Sequence, residues 1–482
     1  MPDTTPKAVH PPKLGLGTKL LYGVGSMANG ATLQIMGGLL LLYYNQVLGL
    51  PAQWVSLALG ISVLIDAFWD PLIGQFSDKL RTPWGRRHPL MYASAIPVAV
   101  AFALLWMPPA GLSHSQLFTY LLVGILSVRL AASFYEVPSG ALAPELAPDY
   151  HDRTVLIGFR WLLGTVGAAV AAVLAYGIFL RATPEFPQGQ LNPAGYPPMA
   201  LSVAALIAAS ILVSTLGTHH RIPGLHKPVA RKISLRETLG EVAATLNNWN
   251  FGVAVVAGVV SATSLALYTG LTIYFIIYFW ELPSSSTLLI VLMGLISAPI
   301  AAAVAPPLSR LWGKRRACMT LFFASVVTTN GPITLRLLDL FPENGSPMLL
   351  PILLANAVLG GVFGTGGFIL VTSMIADIVE ESQVKTGRRS EGLLFSADSL
   401  LNKIVSGFAT VLPGLLLAFV GFPTGVTPAN LDPEIMRRLA YIYVPITVTL
   451  SLLSIATWRF YRIDASAHEA NLAALQDATP AE

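Results

Sequence analysis

Charge is what this sequence has least of. Asp, Glu, Lys and Arg together make up 11% of its 482 residues, where a soluble domain carries about 25%. With 54% hydrophobic residues and a mean hydropathy of +0.65, the chain reads as an integral, multi-pass membrane protein. Cysteine is nearly absent. A lone Cys318 excludes an intramolecular disulfide and leaves no thiolate cluster for zinc or iron–sulfur. The eight histidines show no metal-ligand spacing; His219-His220 is only an adjacent pair in a basic stretch. No Gly-x-x-x-x-Gly-Lys-Ser/Thr phosphate loop occurs, so nothing points to ATP hydrolysis, and no enzyme, cofactor or nucleic-acid signature takes its place. The opening MPDTTPKAVHPPKLG is polar and Pro-rich, without the apolar core and cleavage site of a signal peptide.

What is present is long apolar runs. A helical span needs about 20 mostly apolar residues, and twelve such spans are expected at 17–48, 54–77, 88–108, 115–142, 154–180, 197–216, 250–280, 285–311, 317–338, 346–379, 391–421 and 438–461. Backbone polar groups in lipid must be satisfied within each segment, so these are helices, and the fold class is an all-α membrane protein. Most of the 29 Lys and Arg fall in loops on one side, among them Lys79, Arg81, Arg86, Arg87, Arg231, Lys232, Lys314, Arg315 and Arg316. By the positive-inside rule that side, with both termini, is cytoplasmic. The basic stretch 217–249 divides the chain into an N-terminal six-helix bundle (17–216) and a C-terminal one (250–462), with tails at 1–16 and 463–482. An internal echo supports the division: Trp84-Gly85-Arg86-Arg87 follows the second span and Trp312-Gly313-Lys314-Arg315-Arg316 follows the eighth, as a duplicated transporter fold predicts.

The informative charges lie inside the spans. Ionisable groups deep in a bilayer are costly and face a cavity or a partner. Asp66 sits roughly 15 Å into the second span at helical rise, and Asp70 lies one turn on, so the two carboxylates share one face. Such a pair repels itself and needs a cation or a proton. In the fourth span Glu136 precedes Pro138, Ser133 lies one turn before it with an oxygen to offer an ion, and Arg129 lies two turns before it as a salt-bridge candidate. Arg160 in the fifth span is a second cation; the plainer reading has it snorkelling to the surface. In the eleventh span, Asp398-Ser399-Leu-Leu-Asn402-Lys403 places a lysine too deep to reach either surface, so a pairing with Asp66 or Asp70 is expected.

At the basic side, Gly74-x-x-x-Asp78 followed by Gly85-Arg86-Arg87 gives a tight turn with an acid near guanidinium groups. Its charges are read either as a cytoplasmic gate latching one bundle to the other or as topology signals alone. Asp377-Ile-Val-Glu380-Glu381 near Lys385 reads by default as a solvated loop.

These residues together resemble the glycoside–pentoside–hexuronide:cation symporters (melibiose permease-like) of the major facilitator superfamily. The resemblance spans nearly the whole chain. It rests on Tyr22-Gly-Val-Gly25, Tyr43-Tyr44 with Val47-Leu-Gly49-Leu50, and Asp66-x-x-x-Asp70-Pro71-x-x-Gly74. It continues through Trp84-Gly85, Glu136-Val-Pro138, Ala376-Asp377-Ile-Val, Glu391 and Lys403. It implies that Asp66 and Asp70, with Ser133, take the coupling cation, and that Glu136, Arg160 and Lys403 contact the solute. Asn29, Asp398 and Ser399 join the candidate substrate-binding set. The departures fall at sugar-reading positions: Gly30, preceded by Asn29, stands where the family has an acid, Gly140 where it has an aromatic residue, and Trp69 where it has an asparagine of the sodium site.

The function this implies is a cation-coupled symporter importing a small polar solute, a sugar or glycoside, by alternating access as a monomer in a bacterial inner membrane. The coupling ion is H+ or Na+ at Asp66 and Asp70, and loss of an oxygen donor at Trp69 weakens a hard-cation site and favours H+. Two alternatives stay open. One is a lipid-like or amphipathic substrate of the lysolipid type, with Gly30 and Gly140 leaving room for an apolar group. The other is a non-transporting receptor or scaffold on the same fold.

Overall fold

The structure is a computed structural model that describes residues 14–147, 149–224, 248–386 and 401–463. Among these residues there is no strand, only helix and connecting loop. The first half contains α1 (Leu16–Val24), α2 (Ser26–Leu42), α3 (Ala52–Lys79), α4 (His88–Leu105), α5 (His114–Leu146), α6 (Tyr150–Ala172) and α7 (Tyr196–His219). The second contains α8 (Trp249–Tyr274), α9 (Ser284–Trp312), α10 (Lys314–Leu337) and α11 (Leu349–Thr386). It closes with α12 (Leu401–Phe419) and α13 (Pro433–Thr457).

Among the described residues, eleven helices are long and apolar enough to cross a membrane. The twelfth span is α1 and α2 together. They meet at Gly25, which keeps right-handed helical angles and where a Cβ would strike the Tyr135 hydroxyl on α5. Helix starts follow local chemistry. Ser113 and Gln116 form a reciprocal capping box before α5, while Asn248 and Asp432 accept from the first free amides of α8 and α13. Each satisfies donors that a helix start leaves orphaned.

The two halves repeat each other at matching places. Gly85 and Gly313, each after a Trp, both have φ +77°, a left-handed turn that a glycine adopts without steric cost. A second repeat concerns the opposite membrane face. The first span ends in a π-turn, Tyr43–Val47, and so does the seventh, Phe275–Phe279. Leu48 N donates to Tyr43 O and Leu50 N to Tyr44 O; Trp280 N donates to Phe275 O and Leu282 N to Ile276 O. Between them stand Gly49 and Glu281, both at positive φ, and Pro51 and Pro283 open the next helices. The backbone is duplicated although the side chains are not.

Hydrogen bonds between described residues of the two halves fall in two places. One is this outer rim. Gln46 donates to Pro423 O and accepts from Tyr278 and from Val426 N. Asn45 accepts from Tyr274, and Gln190 bridges Ser284 and Thr287. The other is at mid-span, at Lys403. The expected gate charges behave differently. Arg87 bonds Asp78 (2.7 Å), Ser77 (3.0 Å) and Glu145 (3.1 Å), and Arg86 bonds Glu145 at 2.9 Å. Among the described residues all of these partners belong to the first half, so the turn after α3 is tied to the end of α5. A Cβ on Gly74 would make only an ordinary contact with Val137. The second half repeats the arrangement, because Lys314 bonds both oxygens of a buried Asp377, at 2.7 and 2.9 Å. Asp377 is thus a structural anchor, not part of a solvated loop.

Candidate functional site: a charged cluster at mid-span

The cluster is assembled where α12 presses on α3. A Cβ on Gly60 would come within 2.6 Å of Gly407 O, and one on Gly407 within 2.7 Å of Leu64. Small residues allow such close backbone approach in lipid. Lys403 lies one turn before Gly407, so this seam brings its ammonium to the carboxylates of α3. Lys403 Nζ bonds Asp66 Oδ2 at 3.0 Å and also bonds Asp70 Oδ2.

Two residues of α5 complete the arrangement. Ser133 Oγ donates to Asp66 Oδ1 at 3.3 Å. Arg129 lies 3.7 Å from Asp66 Oδ2 and donates through Nε to Ser62 Oγ at 3.0 Å. The expected Arg129–Glu136 pairing therefore does not form. Two helical turns put Arg129 level with Asp66 on the neighbouring α3, and Glu136 is claimed by another helix. Pro71, inside α3 directly after Asp70, cannot donate to the Ala67 carbonyl one turn back, which frees a backbone oxygen beside Asp66.

A second pair lies next to the first. Arg160 on α6 bonds Glu136 Oε2 at 3.0 Å and donates to the Tyr22 hydroxyl at 2.9 Å, with its guanidinium 5.5 Å from the Tyr22 ring centre. Tyr22 in turn donates to Ser139 O at 2.7 Å. Arg160 is therefore an interior partner and does not snorkel. Tyr22 is the member of this group that the sequence did not single out for the site. Its Tyr-Gly-Val-Gly surroundings marked it only as part of a family pattern.

The signs balance. Lys403 and Arg129 offset Asp66 and Asp70, and Arg160 offsets Glu136, so an added cation must displace or compete with a resident positive charge. Two oxygens are left over: Asp70 Oδ1 and Glu136 Oε1 are buried without a hydrogen-bond partner among the described residues. No group of three or more His, Cys, Asp or Glu suited to a metal ion occurs among the described residues, so a metal here would rely on Asp66, Asp70 and neutral oxygens.

The remaining candidates are not part of this cluster. Asn29 is exposed on α2 and has no hydrogen bond among the described residues. Asp398 and Ser399 lie outside the described residues. Gly30 does not open a space, since a Cβ there would come within 1.9 Å of Gly164 O; it is where α2 packs on α6. Gly140 is different, with only Arg160 Nη1 at 3.8 Å from its Cβ position.

A family model described as MFS/sugar transport protein matches residues 21–465. The chain belongs to that family. Its members are membrane transporters, not enzymes, and the chain is a multi-pass membrane symporter of this kind. It is similar to an uncharacterized symporter of Synechocystis, 23% identical with 95% of this chain and 96% of the other covered. It is also similar to an isoprimeverose transporter of Lactiplantibacillus pentosus, 25% identical with 96% and 92% covered. The crystal structure of the nucleoside transporter NupG shares its fold, with a TM-score of 0.61 at 16% identity over 92% of this chain and 98% of that one.

Proposed function

We propose that this symporter couples the entry of a sugar or glycoside to a cation that binds at Asp66 and Asp70, with a proton favoured over sodium. The observation that carries the proposal is the single ammonium of Lys403, supplied by the second half and shared between two carboxylates of the first. A proton or Na+ arriving at the pair neutralises charge that Lys403 otherwise balances, and so releases it. The tie between the halves at mid-span then weakens, and Lys403 and the free oxygen of Glu136 become available to hydroxyl groups of a solute.

The outer rim is closed by Gln46, Asn45 and Gln190. With the basic loops cytoplasmic, a form closed at this rim is the one that would release solute inward, and opening the rim while closing the basic side would complete alternating access. The same orientation places both tails and the 217–249 loop in the cytoplasm and makes 17–216 and 250–462 the two rocking bundles.

Isoprimeverose is the natural first probe, because it is the solute named for one relative. Purified protein in liposomes should accumulate it above the equilibrium level under an imposed proton gradient. Accumulation under a sodium gradient alone would reassign the ion. Lysolipid uptake with no sugar uptake would replace the proposal by the lipid-like reading.

A further inference from the structure

The second half contains a cavity of about 530 Å3 between α8, α9, α10, α11 and α13, reached also by Gln34 of α2. Its volume falls within the ~300–1,000 Å3 of small-molecule sites. None of the residues lining it is charged, and its polar groups are hydroxyls and amides. Several of these are unused. Among the described residues, the side chains of Gln34, Ser261, Ser325, Thr329, Asn356 and Thr365 make no hydrogen bond to other residues.

Most other hydroxyls in these helices, such as Thr263, Thr269 and Thr328, donate to a carbonyl one turn back. An unpaired polar group at membrane depth is costly unless water or a ligand meets it. Six on one cavity, from three different helices of the second half and one of the first, are a surface made for a partner with many hydroxyl groups. Tyr268, Phe322 and Phe368 add apolar faces to the wall, which suit the C–H face of a sugar ring.

The helix that carries Ser261 also approaches α12 near Lys403. Ser261 lies one turn beyond Gly258 on α8, and a Cβ on Gly258 would lie 3.8 Å from Asn402 Oδ1, the residue before Lys403. Gly294, on the cavity wall, has no atom within 4 Å of its Cβ position, so the space there is open.

We propose that this cavity is a binding subsite for the uncharged, polyhydroxylated part of the transported solute, a glycosyl unit. Glu136, Arg160 and Lys403 would hold the end of the same molecule that lies at the centre. The inference rests on the sugar-symporter reading and deepens it, since it assigns recognition of the neutral glycosyl unit to the second half.

Two variants test it. In Asn356→Cys, maleimide labelling reports access to the cavity, and the native Cys318 is fully buried, with the unsubstituted chain as the background control. In Gly294→Leu, the added side chain enters the cavity from a Cβ position with no atom within 4 Å. The probes are isoprimeverose, lactose and raffinose, with lysophosphatidylcholine as the apolar comparison. Whichever sugar the unsubstituted protein accumulates should protect the introduced thiol from labelling. Its uptake by the Gly294→Leu variant should fall by about tenfold or more, through a raised KM with little change in kcat. A transported sugar that leaves labelling unchanged, with normal uptake by Gly294→Leu, overturns the subsite and leaves the symporter reading standing. Uptake of lysolipid but of no sugar contradicts the functional reading itself, and the subsite falls with it.

Discussion

The two halves share a backbone plan and differ in what they bury. Both turn at a Trp-Gly step with the glycine at φ +77°, both pin that turn to a later helix by a cation–carboxylate pair, and both end their first helix in a π-turn. Among the described residues the first half presents Asp66, Asp70, Arg129, Glu136 and Arg160 at mid-span, whereas the second offers one ammonium, Lys403, and a cavity of uncharged hydroxyls and amides. Duplication explains the frame. On the proposed reading the difference divides the work: charge that responds to an ion in one half, and neutral polar surface suited to a sugar in the other, with Lys403 as the link.

The link is the place where the comparison breaks most severely. Lys403→Ala leaves two carboxylates of the first half facing each other with Arg129 as their remaining counter-charge. Removing one partner of a buried pair costs about 3–5 kcal/mol, and partial exposure here puts the expected loss at the lower end. Thermal unfolding of the purified variant should therefore occur at a lower temperature than in the parent. Equal stability of variant and parent would mean that the halves are not joined through this charge.

The rim is the next largest. Gln46 bonds three groups of the second half, and each net hydrogen bond contributes about 0.5–1.5 kcal/mol. Gln46→Ala should shift the population toward a rim-open form, read as faster labelling of a cysteine introduced at Ser284. Unchanged labelling would show that apolar packing, not the polar rim, holds the halves closed there. Symmetry sharpens the test. Tyr278→Phe removes the hydroxyl that meets both Gln46 and Val426, and it should act in the same direction with a smaller effect.

The smallest effects separate packing from function within the first half. Gly30→Ala forces a methyl group against Gly164 O and should destabilise the protein by about 1–3 kcal/mol. Gly37→Ala, on the same helix with nothing within 4 Å of its Cβ position, should be neutral or stabilise by up to about 1 kcal/mol. The melting temperatures of the two variants should diverge. If both are neutral, Gly30 does not pack as described and the space beside it belongs to the solute path.

Much of this was legible in the residues. The spans expected at 54–77, 115–142 and 285–311 appear as Ala52–Lys79, His114–Leu146 and Ser284–Trp312, because lipid leaves an apolar run few alternatives to helix. The acid pair was legible for the same reason, since two carboxylates four residues apart in an apolar run have few roles. Partners were harder. Arg129 lies at the right spacing for Glu136, yet helix packing, invisible in one segment, hands it to Asp66. Gly30 reads as vacated space and is a contact. The π-turn repeat gives little sequence signal because only Leu50-Pro51 and Leu282-Pro283 match, while the shared feature is a backbone path. The neutral cavity gave no signal at all. Ser, Thr and Asn are common in membrane helices, and only the assembled bundle shows which of them are left without partners.

The most direct test of the central claim compares two modes of transport in liposomes carrying Asp66→Asn or Asp70→Asn. Gradient-driven accumulation requires the cation at the pair, whereas exchange of labelled for unlabelled isoprimeverose across equal concentrations needs only the solute site. Both variants should lose accumulation under proton and sodium gradients alike while retaining exchange at a rate within about tenfold of the parent. Accumulation to the parental level by both variants would contradict the account, because the coupling charge would then lie elsewhere.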